Sequence, residues 1–358
     1  MRIAQRTIDR TREPYVIAEI GVNHDGKVEQ ALALCDIAAE AGCEAVKLQC
    51  FEASRLMSRA SRLAAYQAQA GETDPLAMLA RLELSLDDMA RVVDRAHARG
   101  LHAIVTVFSL ELVEPASRLA WDAFKTASPD IVHKPLLEAL IATGRPLIVS
   151  TGASTAPEVR RALDWLAPAH QHLALLQCVS SYPCKPADAA IEAMSDLATM
   201  FDGPVGYSDH TAGPETARKA ALLGACVLEK HITLDRSLPG PDHGASLEPP
   251  ALRRYVKEAA QGFRLRAQYP HYRDRIDAHS QADGTKLVLD CERDVRAVSR
   301  QSIVLTRPLR AGETITRDAV TFKRPGTGLL PFELDRVVGT HAARDLDADT
   351  PLTPEDIR

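Results

Sequence analysis

The chain has 358 residues, too many for one ordinary domain, which predicts one large domain plus a smaller one. Its 46% hydrophobic and 25% charged residues are those of a soluble globular protein, and 4% aromatics leave few rings for a base-stacking nucleic-acid surface. A net charge of −5 gives no general attraction to polyanions, so an anionic ligand has to be held by a few focused cations.

Strand-like apolar runs are predicted at residues 15–22, 45–51, 102–108, 123–128, 147–152, 173–179, 204–210 and 226–233. Helical periodicity is predicted at 27–41, 86–99, 110–119, 134–142, 156–166, 187–200, 214–223 and 246–263. This alternation is the pattern of an α/β protein, a (β/α)8 TIM barrel over residues 1–263. A dinucleotide-binding fold is the weaker alternative, because no G-x-G-x-x-G joins the first strand to its helix. Gly42, Gly100, Gly144 and Gly224 follow helices, and Ser85 with Asp88 gives a loose capping signal. Residues 264–296 are charged and broken and read as a linker. Residues 297–358 read as a small, mostly β domain with a degenerate repeat. In it Leu309, Ile315, Thr316 and Val320 recur as Leu346, Leu352, Thr353 and Ile357.

No apolar stretch approaches the roughly 20 residues of a membrane span. The first residues carry no signal-peptide core. The seven cysteines form no C-x-x-C pair, and those inside apolar runs read as reduced core residues. A cytoplasmic protein with neither membrane nor nucleic-acid partner is expected.

Functional side chains of a barrel sit at the carboxyl ends of its strands, and side chains alternate in and out along each strand. Lys47 and Gln49 share one face of the second strand, opposite Val46, Leu48 and Cys50, so they are expected in the barrel mouth. A lysine at a frayed strand end is the structural alternative. Glu19 shares a face with Ile17 and Gly21. A buried carboxylate there needs a partner, either a structural ion pair or a ligand. Lys125 lies in the fourth strand and Ser128 just beyond it. Ser150 ends the fifth strand, and Ser180 and Tyr182 end the sixth. Ser208 shares a face with His210, and Glu229 with His231. Lys230 aligns with Leu228 and Ile232, so it is expected outward from the barrel, paired or snorkelling. The two histidines close adjacent strands, which lie about 4.8 Å apart, so they can share one metal ion. Asp242 follows in the loop 239–243. Imidazoles with oxygen donors suit Mn²⁺ or a similar divalent ion, and hydroxyls with lysines suit phosphate and carboxylate. His24 is a weak candidate, and His243 is open to either a structural or a site role.

The runs Ala18-Glu19-Ile20-Gly21-Val22-Asn23-His24, Val46-Lys47-Leu48-Gln49, Leu82-Glu83-Leu84-Ser85, Lys125-Thr126-Ala127-Ser128, Ser150-Thr151-Gly152, Gly206-Tyr207-Ser208-Asp209-His210-Thr211 and Glu229-Lys230-His231 carry a resemblance. So do residues 234–243 and Lys323-Arg324-Pro325-Gly326-Thr327-Gly328. With these the chain resembles phosphoenolpyruvate-dependent sialic acid (nonulosonate) synthases with a C-terminal antifreeze-like SAF domain. The resemblance implies condensation of phosphoenolpyruvate with N-acetylmannosamine or a related N-acyl amino sugar. The products are a nine-carbon 2-keto acid and phosphate. It implies that His210 and His231 bind a divalent metal, Mn²⁺ or Mg²⁺, which polarises the aldehyde. Carbon 3 of phosphoenolpyruvate then attacks, and water adds at carbon 2. Lys47, Lys125, Ser128, Ser150, Ser180 and Ser208 match phosphoenolpyruvate-binding positions. Glu19, Gln49, Tyr182 and Asp242 match positions around the sugar and the water, and Glu19, His231 and Asp242 are the implied catalytic groups. Arg324 matches an arginine that enters the partner subunit's barrel, which implies a domain-swapped homodimer. The chain differs from the family pattern at Ser180 (asparagine in some members), Pro129 (usually glycine) and Val107 (usually proline). Residues 66–80 offer no asparagine for the sugar. Legionaminic- or pseudaminic-type synthesis from a 2,4-diacetamido-6-deoxy hexose is an alternative. More remote are a Kdo- or DAHP-type synthase, which needs a further phosphate pocket and commonly lacks the tail, and a non-catalytic carbohydrate-binding protein.

Overall fold

In the computed structural model the described residues are 1–268 and 286–358. A short antiparallel hairpin, β1 (Arg2–Ile3) and β2 (Arg6–Thr7), opens the chain. Eight parallel strands then close a barrel: β3 (Tyr15–Gly21), β4 (Ala45–Cys50), β5 (His102–Val107), β6 (Ala123–Thr126), β7 (Leu147–Ser150), β8 (Leu173–Cys178), β9 (Val205–Asp209) and β10 (Val227–His231), with β10 pairing β3. All eight strands expected from apolar runs are present, each trimmed by a residue or two at its ends.

Alternation sorts the strand residues into two apolar layers. Val16, Ala18, Val46, Leu48, Val105, Val149, Leu175 and Leu228 face outward and pack with the helices. Ile17, Ala45, Ile104, Ala123, Ile148, Ala174, Leu176 and Val227 fill the lower interior, where Ile3 and Ile8 of the hairpin region close the bottom. A fully buried Ile or Leu side chain contributes about 1.5–3 kcal/mol. These layers hold the barrel together and leave its upper mouth free to be polar.

The helices follow their sequence signals at most positions. Leu86–Ala98 begins at Ser85, whose Oγ accepts the Asp88 amide at 3.1 Å. Gly42 ends Val28–Ala41 at φ 84°, a left-handed conformation that carries no Cβ penalty in glycine.

Three stretches differ from expectation. Residues 110–119 form a 3-10 turn, Leu110–Leu112, and a short helix, Val113–Ser117. Pro115 has no N–H to give to a carbonyl four residues back, so the α-helix starts late enough to keep it in the first turn. Residues 187–200 become α-helical only at Met194, after 3-10 turns at Pro186–Asp188 and Ile191–Ala193 that the left-handed Ala190, at φ 44°, separates. The last barrel helix runs Pro249–Gln268, so the stretch 264–296 expected as a linker opens inside a helix. That stretch ends in another helix, Arg293–Ser299, and its middle, 269–285, lies outside the described residues.

The C-terminal domain pairs β11 (Ser302–Leu305) with β12 (Val320–Lys323) in antiparallel register. The repeated segments meet face to face. Leu309 and Leu346 exchange both backbone hydrogen bonds, at 3.0 and 2.9 Å. Each copy then makes a 3-10 turn, at Arg317–Ala319 and Pro354–Asp356. Leu309, Ile315, Val320, Leu346 and Leu352 share one small core. The domain docks on the barrel through a parallel bridge between Met57 and Arg324. Gln301 Nε2 reinforces it by donating to Phe108 O at 2.8 Å.

Candidate active site

The upper interior of the barrel opens into a cleft at the carboxyl ends of the strands. Its walls include Glu19, Lys47, Gln49, Lys125, Ser128, Ser150, Ser180, Tyr182, Ser208, His210, His231, Asp242 and Arg324. Strand alternation brings Glu19, Lys47, Gln49, Lys125, Ser150, Ser208 and His231 together, and the loops beyond the strands add Ser128, Ser180, Tyr182, His210 and Asp242.

One wall is an ion-pair network. Lys47 Nζ lies 2.5 Å from a Glu19 carboxylate oxygen and donates to Thr106 Oγ1 at 2.9 Å. Gln49 Nε2 donates to Glu19 Oε1 at 2.8 Å. Gly21 makes room for the network. A Cβ there would stand 2.8 Å from Glu19 Oε1 and 3.1 Å from Gln49 Nε2, and φ is +53°. Burial raises the Glu19 carboxyl above its ordinary range, Lys47 pulls it back, and Glu229 raises it again.

The opposite wall is rich in hydroxyls. Lys125 Nζ donates to Ser150 Oγ at 2.7 Å and lies 3.4 Å from Glu229 Oε1. Ser208 Oγ donates to the same Glu229 oxygen at 2.9 Å. Ser128 stands just past β6 and opens the turn Ser128–Val132, where Pro129 fits the first turn. Its Oγ accepts the Gly152 amide at 3.0 Å. A Cβ on Gly152 would meet Ser180 Oγ at 2.4 Å, Ser128 Oγ at 2.7 Å and Cys178 Sγ at 2.9 Å, so only glycine fits between these groups. Ser180 Oγ is buried with no hydrogen-bond partner. Burial lowers the Lys125 ammonium below its usual range, against the pull of Glu229.

His210 and His231 face each other with ring centroids 5.7 Å apart. His210 Nδ1 lies 2.8 Å from the Val179 carbonyl oxygen. A carbonyl only accepts, so Nδ1 carries the proton and Nε2 keeps its lone pair. His231 Nδ1 is buried without a hydrogen-bond partner, 3.6 Å from Asp242 Oδ2. Burial, and then the neighbouring Glu19, pushes the Asp242 carboxyl up to about 6. Two available imidazole nitrogens beside a carboxylate fit an open divalent-ion site completed by oxygen donors. Among the described residues no group of three or more His, Cys, Asp or Glu side chains is placed to hold a metal ion by itself, so further donors would have to come from ligand or water.

Other residues resolve differently. Lys230 points away from the cleft as expected, but it does not snorkel. It is fully buried, with Nζ 3.1 Å from Asp209 Oδ2 and over the Tyr255 ring. Proximity of Asp209 on the neighbouring strand made this pairing available, and sequence alternation does not reveal it. His243 is tied into the first and last loops by Thr233 Oγ1 at 2.7 Å and Asp25 at 3.0 Å. His24 accepts the Gly26 amide at 3.1 Å. Neither lines the cleft.

Thr106, Cys178, Tyr66 and Glu229 do line it and were not singled out as site residues. Thr106 shares the inward face of β5 with Ile104, a signal that the alternation test could have used. Cys178 Sγ lies 3.5 Å from His210 Nδ1, so it faces the site rather than the helix layer.

Arg324 enters the cleft of its own chain, where the family resemblance implies the partner's. Its backbone amide donates to Leu56 O at 2.9 Å. Its carbonyl accepts from Ser58 Oγ at 2.6 Å and Ser61 Oγ at 2.8 Å, and its guanidinium lies 5.6 Å from the Phe108 ring centroid.

Residues 34–267 match the model of the NeuB family, and residues 300–358 match that of the SAF domain. The chain is 36% identical to N,N'-diacetyllegionaminic acid synthase of Legionella pneumophila, covering 96% of this chain and 94% of that protein. It is 29% identical to N-acetylneuraminate-9-phosphate synthase of Mus musculus, covering 96% and 92%. Among solved structures, the spore coat polysaccharide biosynthesis protein SpsE of Bacillus subtilis superposes with a TM-score of 0.83 at 30% identity. That match covers 100% of this chain and 99% of the other.

Proposed function

Because this chain belongs to the NeuB family, we propose that it condenses phosphoenolpyruvate with an N-acyl mannosamine-type sugar, giving a nonulosonic acid and phosphate. The observation that carries this reading is the convergence of two lysines, five serine hydroxyls, two imidazoles and an acidic trio in one cleft. In the reaction, carbon 3 of phosphoenolpyruvate bonds to the aldehyde carbon, and the aldehyde oxygen takes a proton. Water adds at carbon 2 and gives up one proton, phosphate leaves with the bridging oxygen, and the new carbon 2 hydroxyl becomes the ketone as its remaining proton passes to the departing phosphate.

Lys125, Ser128, Ser150, Ser180 and Ser208 bind the phosphate, and Lys47 binds the carboxylate. Glu19, the carboxylate partner of Lys47, faces the sugar and relays the proton that the aldehyde oxygen takes. Asp242 accepts a proton from the attacking water, a role suited to a carboxyl near 6. Gln49 and Tyr182 orient the sugar. A divalent ion, Mn²⁺ or Mg²⁺, held by His210 and His231 would supply Lewis-acid polarisation of the aldehyde. The seven free cysteines support a reducing, cytoplasmic setting.

The higher identity to the legionaminic relative favours, as a second reading, a 2,4-diacetamido-6-deoxy hexose as acceptor. The test is phosphate release from phosphoenolpyruvate with Mn²⁺ or Mg²⁺ across a panel of mannosamine-type and diacetamido sugars. Release should require both the metal and one of these sugars. No release with any of them would reject the proposal.

Arg324 is assigned to the sugar's acyl group. Arg324→Ala should raise the KM for the sugar at least about tenfold, the cost of roughly one lost charge-assisted hydrogen bond, with little change for phosphoenolpyruvate. Equal loss for both substrates would count against the assignment. The swapped homodimer is tested in the same background by co-expressing Arg324→Ala and His210→Ala chains. Exchange of C-terminal domains creates one wild-type cleft per mixed dimer and restores the sugar KM. Domains that stay on their own barrels restore nothing.

A further inference from the structure

The hydroxyl-lined wall of the cleft is held from outside by a segment that belongs to neither the barrel strands nor their helices. Glu292 is fully buried at the start of the helix Arg293–Ser299. Its Oε1 accepts the backbone amides of Ala153, at 2.6 Å, and Ser180, at 2.8 Å. Its Oε2 accepts the Leu289 amide at 2.9 Å. One carboxylate therefore ties the loop after β7 to the loop after β8.

Ala153 is gripped from its other side as well. Its carbonyl accepts from Arg296 at 2.5 Å and Arg300 at 3.4 Å. Both arginines are fixed by Glu158, at 2.7 to 2.9 Å. Ala153 has φ +49°, a conformation that costs a non-glycine residue roughly 1–2 kcal/mol and persists only where its surroundings fix it. Glu292 and Arg296 supply that fixing. The preceding residue is Gly152, packed against Ser128 Oγ, Ser180 Oγ and Cys178 Sγ. The same helix puts Val295 and Ser299 into the cleft wall, and β11 of the C-terminal domain begins three residues after Ser299.

We propose that Glu292, backed by Arg296, is a positioning residue for phosphoenolpyruvate, setting the Gly152–Ala153 and Ser180 backbone so that the phosphate-binding hydroxyls converge. The C-terminal segment then completes the phosphate corner in addition to delivering Arg324 to the sugar. This rests on the reading of the cleft as a phosphoenolpyruvate site.

The test compares wild type with Glu292→Gln and Arg296→Lys, each as the full-length, Mn²⁺-loaded enzyme. Phosphoenolpyruvate binding is measured by calorimetry, and KM is measured for phosphoenolpyruvate and for the sugar that supports turnover. The Gln variant removes the charge that holds two amides on one oxygen. The Lys variant keeps the charge at a half-buried position but loses the fork that joins Ala153 to Glu158. Both should weaken phosphoenolpyruvate binding and raise its KM about tenfold, with the sugar KM within twofold of wild type. If Glu292→Gln does not fold, Arg296→Lys alone decides the question. Unchanged phosphoenolpyruvate affinity, or an equal shift in both KM values, overturns the proposal. Wild-type protein that fails to bind phosphoenolpyruvate overturns the underlying reading and this inference with it. Tight binding by wild type and variants alike overturns this inference only.

Discussion

His210→Ala should lower metal-dependent turnover by at least about a thousandfold, because Lewis-acid stabilisation is worth several kcal/mol and each 1.4 kcal/mol is tenfold in rate. The geometry makes His210 hard to replace. Its Nδ1 proton is committed to Val179 O, so the ring is held in one tautomer with Nε2 available. Its ring also packs against Tyr182, with centroids 4.1 Å apart. Among the described residues two imidazoles line the site, and losing one leaves half of those nitrogen donors. Bound Mn²⁺ per chain, measured on the purified variant, should fall together with turnover. Retained turnover, or full metal occupancy in an inactive variant, would reject the assignment of His210 as a ligand.

The second large effect concerns stability. Lys47→Met should destabilise the protein by about 3–5 kcal/mol, the usual consequence of removing one partner of a buried ion pair. Glu19 is wholly buried and would keep only the Gln49 amide as a partner. The sign of the pH dependence follows from Glu19. Its carboxyl is already raised above its ordinary value in the folded chain. A raised carboxyl favours the folded state at low pH and loses that advantage as pH rises through the folded value. Without Lys47 the carboxyl rises further, so the deficit should be smaller at pH 5 than at pH 8. The double variant Glu19→Gln/Lys47→Met removes both charges and should recover most of the lost stability while remaining inactive. Denaturant titration of the three variants at both pH values measures this. A double variant as unstable as Lys47→Met would show that the ion pair is not the source of the loss.

The barrel was legible because its strands carry two independent signals. Continuous apolar runs mark their positions, and polar residues at alternating positions mark the inward face. Lys47, Gln49, Ser208 and His231 were all readable in this way. The C-terminal repeat was legible because equal spacing survives sequence drift, and the Leu309–Leu346 pairing shows its two copies facing each other.

Other features had no local signature. Two-residue strands such as β1 and β2 are too short to show periodicity. The break at Ala190 depends on a left-handed residue that is not glycine. Glu292 reads as one more charge in a charged stretch, because its partners are backbone amides far away in sequence. Lys230 was placed on the correct side, but its burial depends on Asp209 and Tyr255 from other elements.

The ionic groups of the cleft balance. Lys47, Lys125 and Arg324 face Glu19, Glu229 and Asp242. Lys47 and Lys125 already lie 2.5 and 3.4 Å from carboxylate oxygens of their own protein. The focused cations that the overall charge called for therefore do not form a positive basin. On the proposed reading, an incoming phosphate or carboxylate would enter by exchange of partners, taking ammonium groups that Glu19 and Glu229 hold in its place. Its gain is the difference between two satisfied arrangements rather than the full Coulomb attraction of a free lysine. Such a site discriminates by shape, because only an anion that re-forms every displaced contact at once comes out ahead.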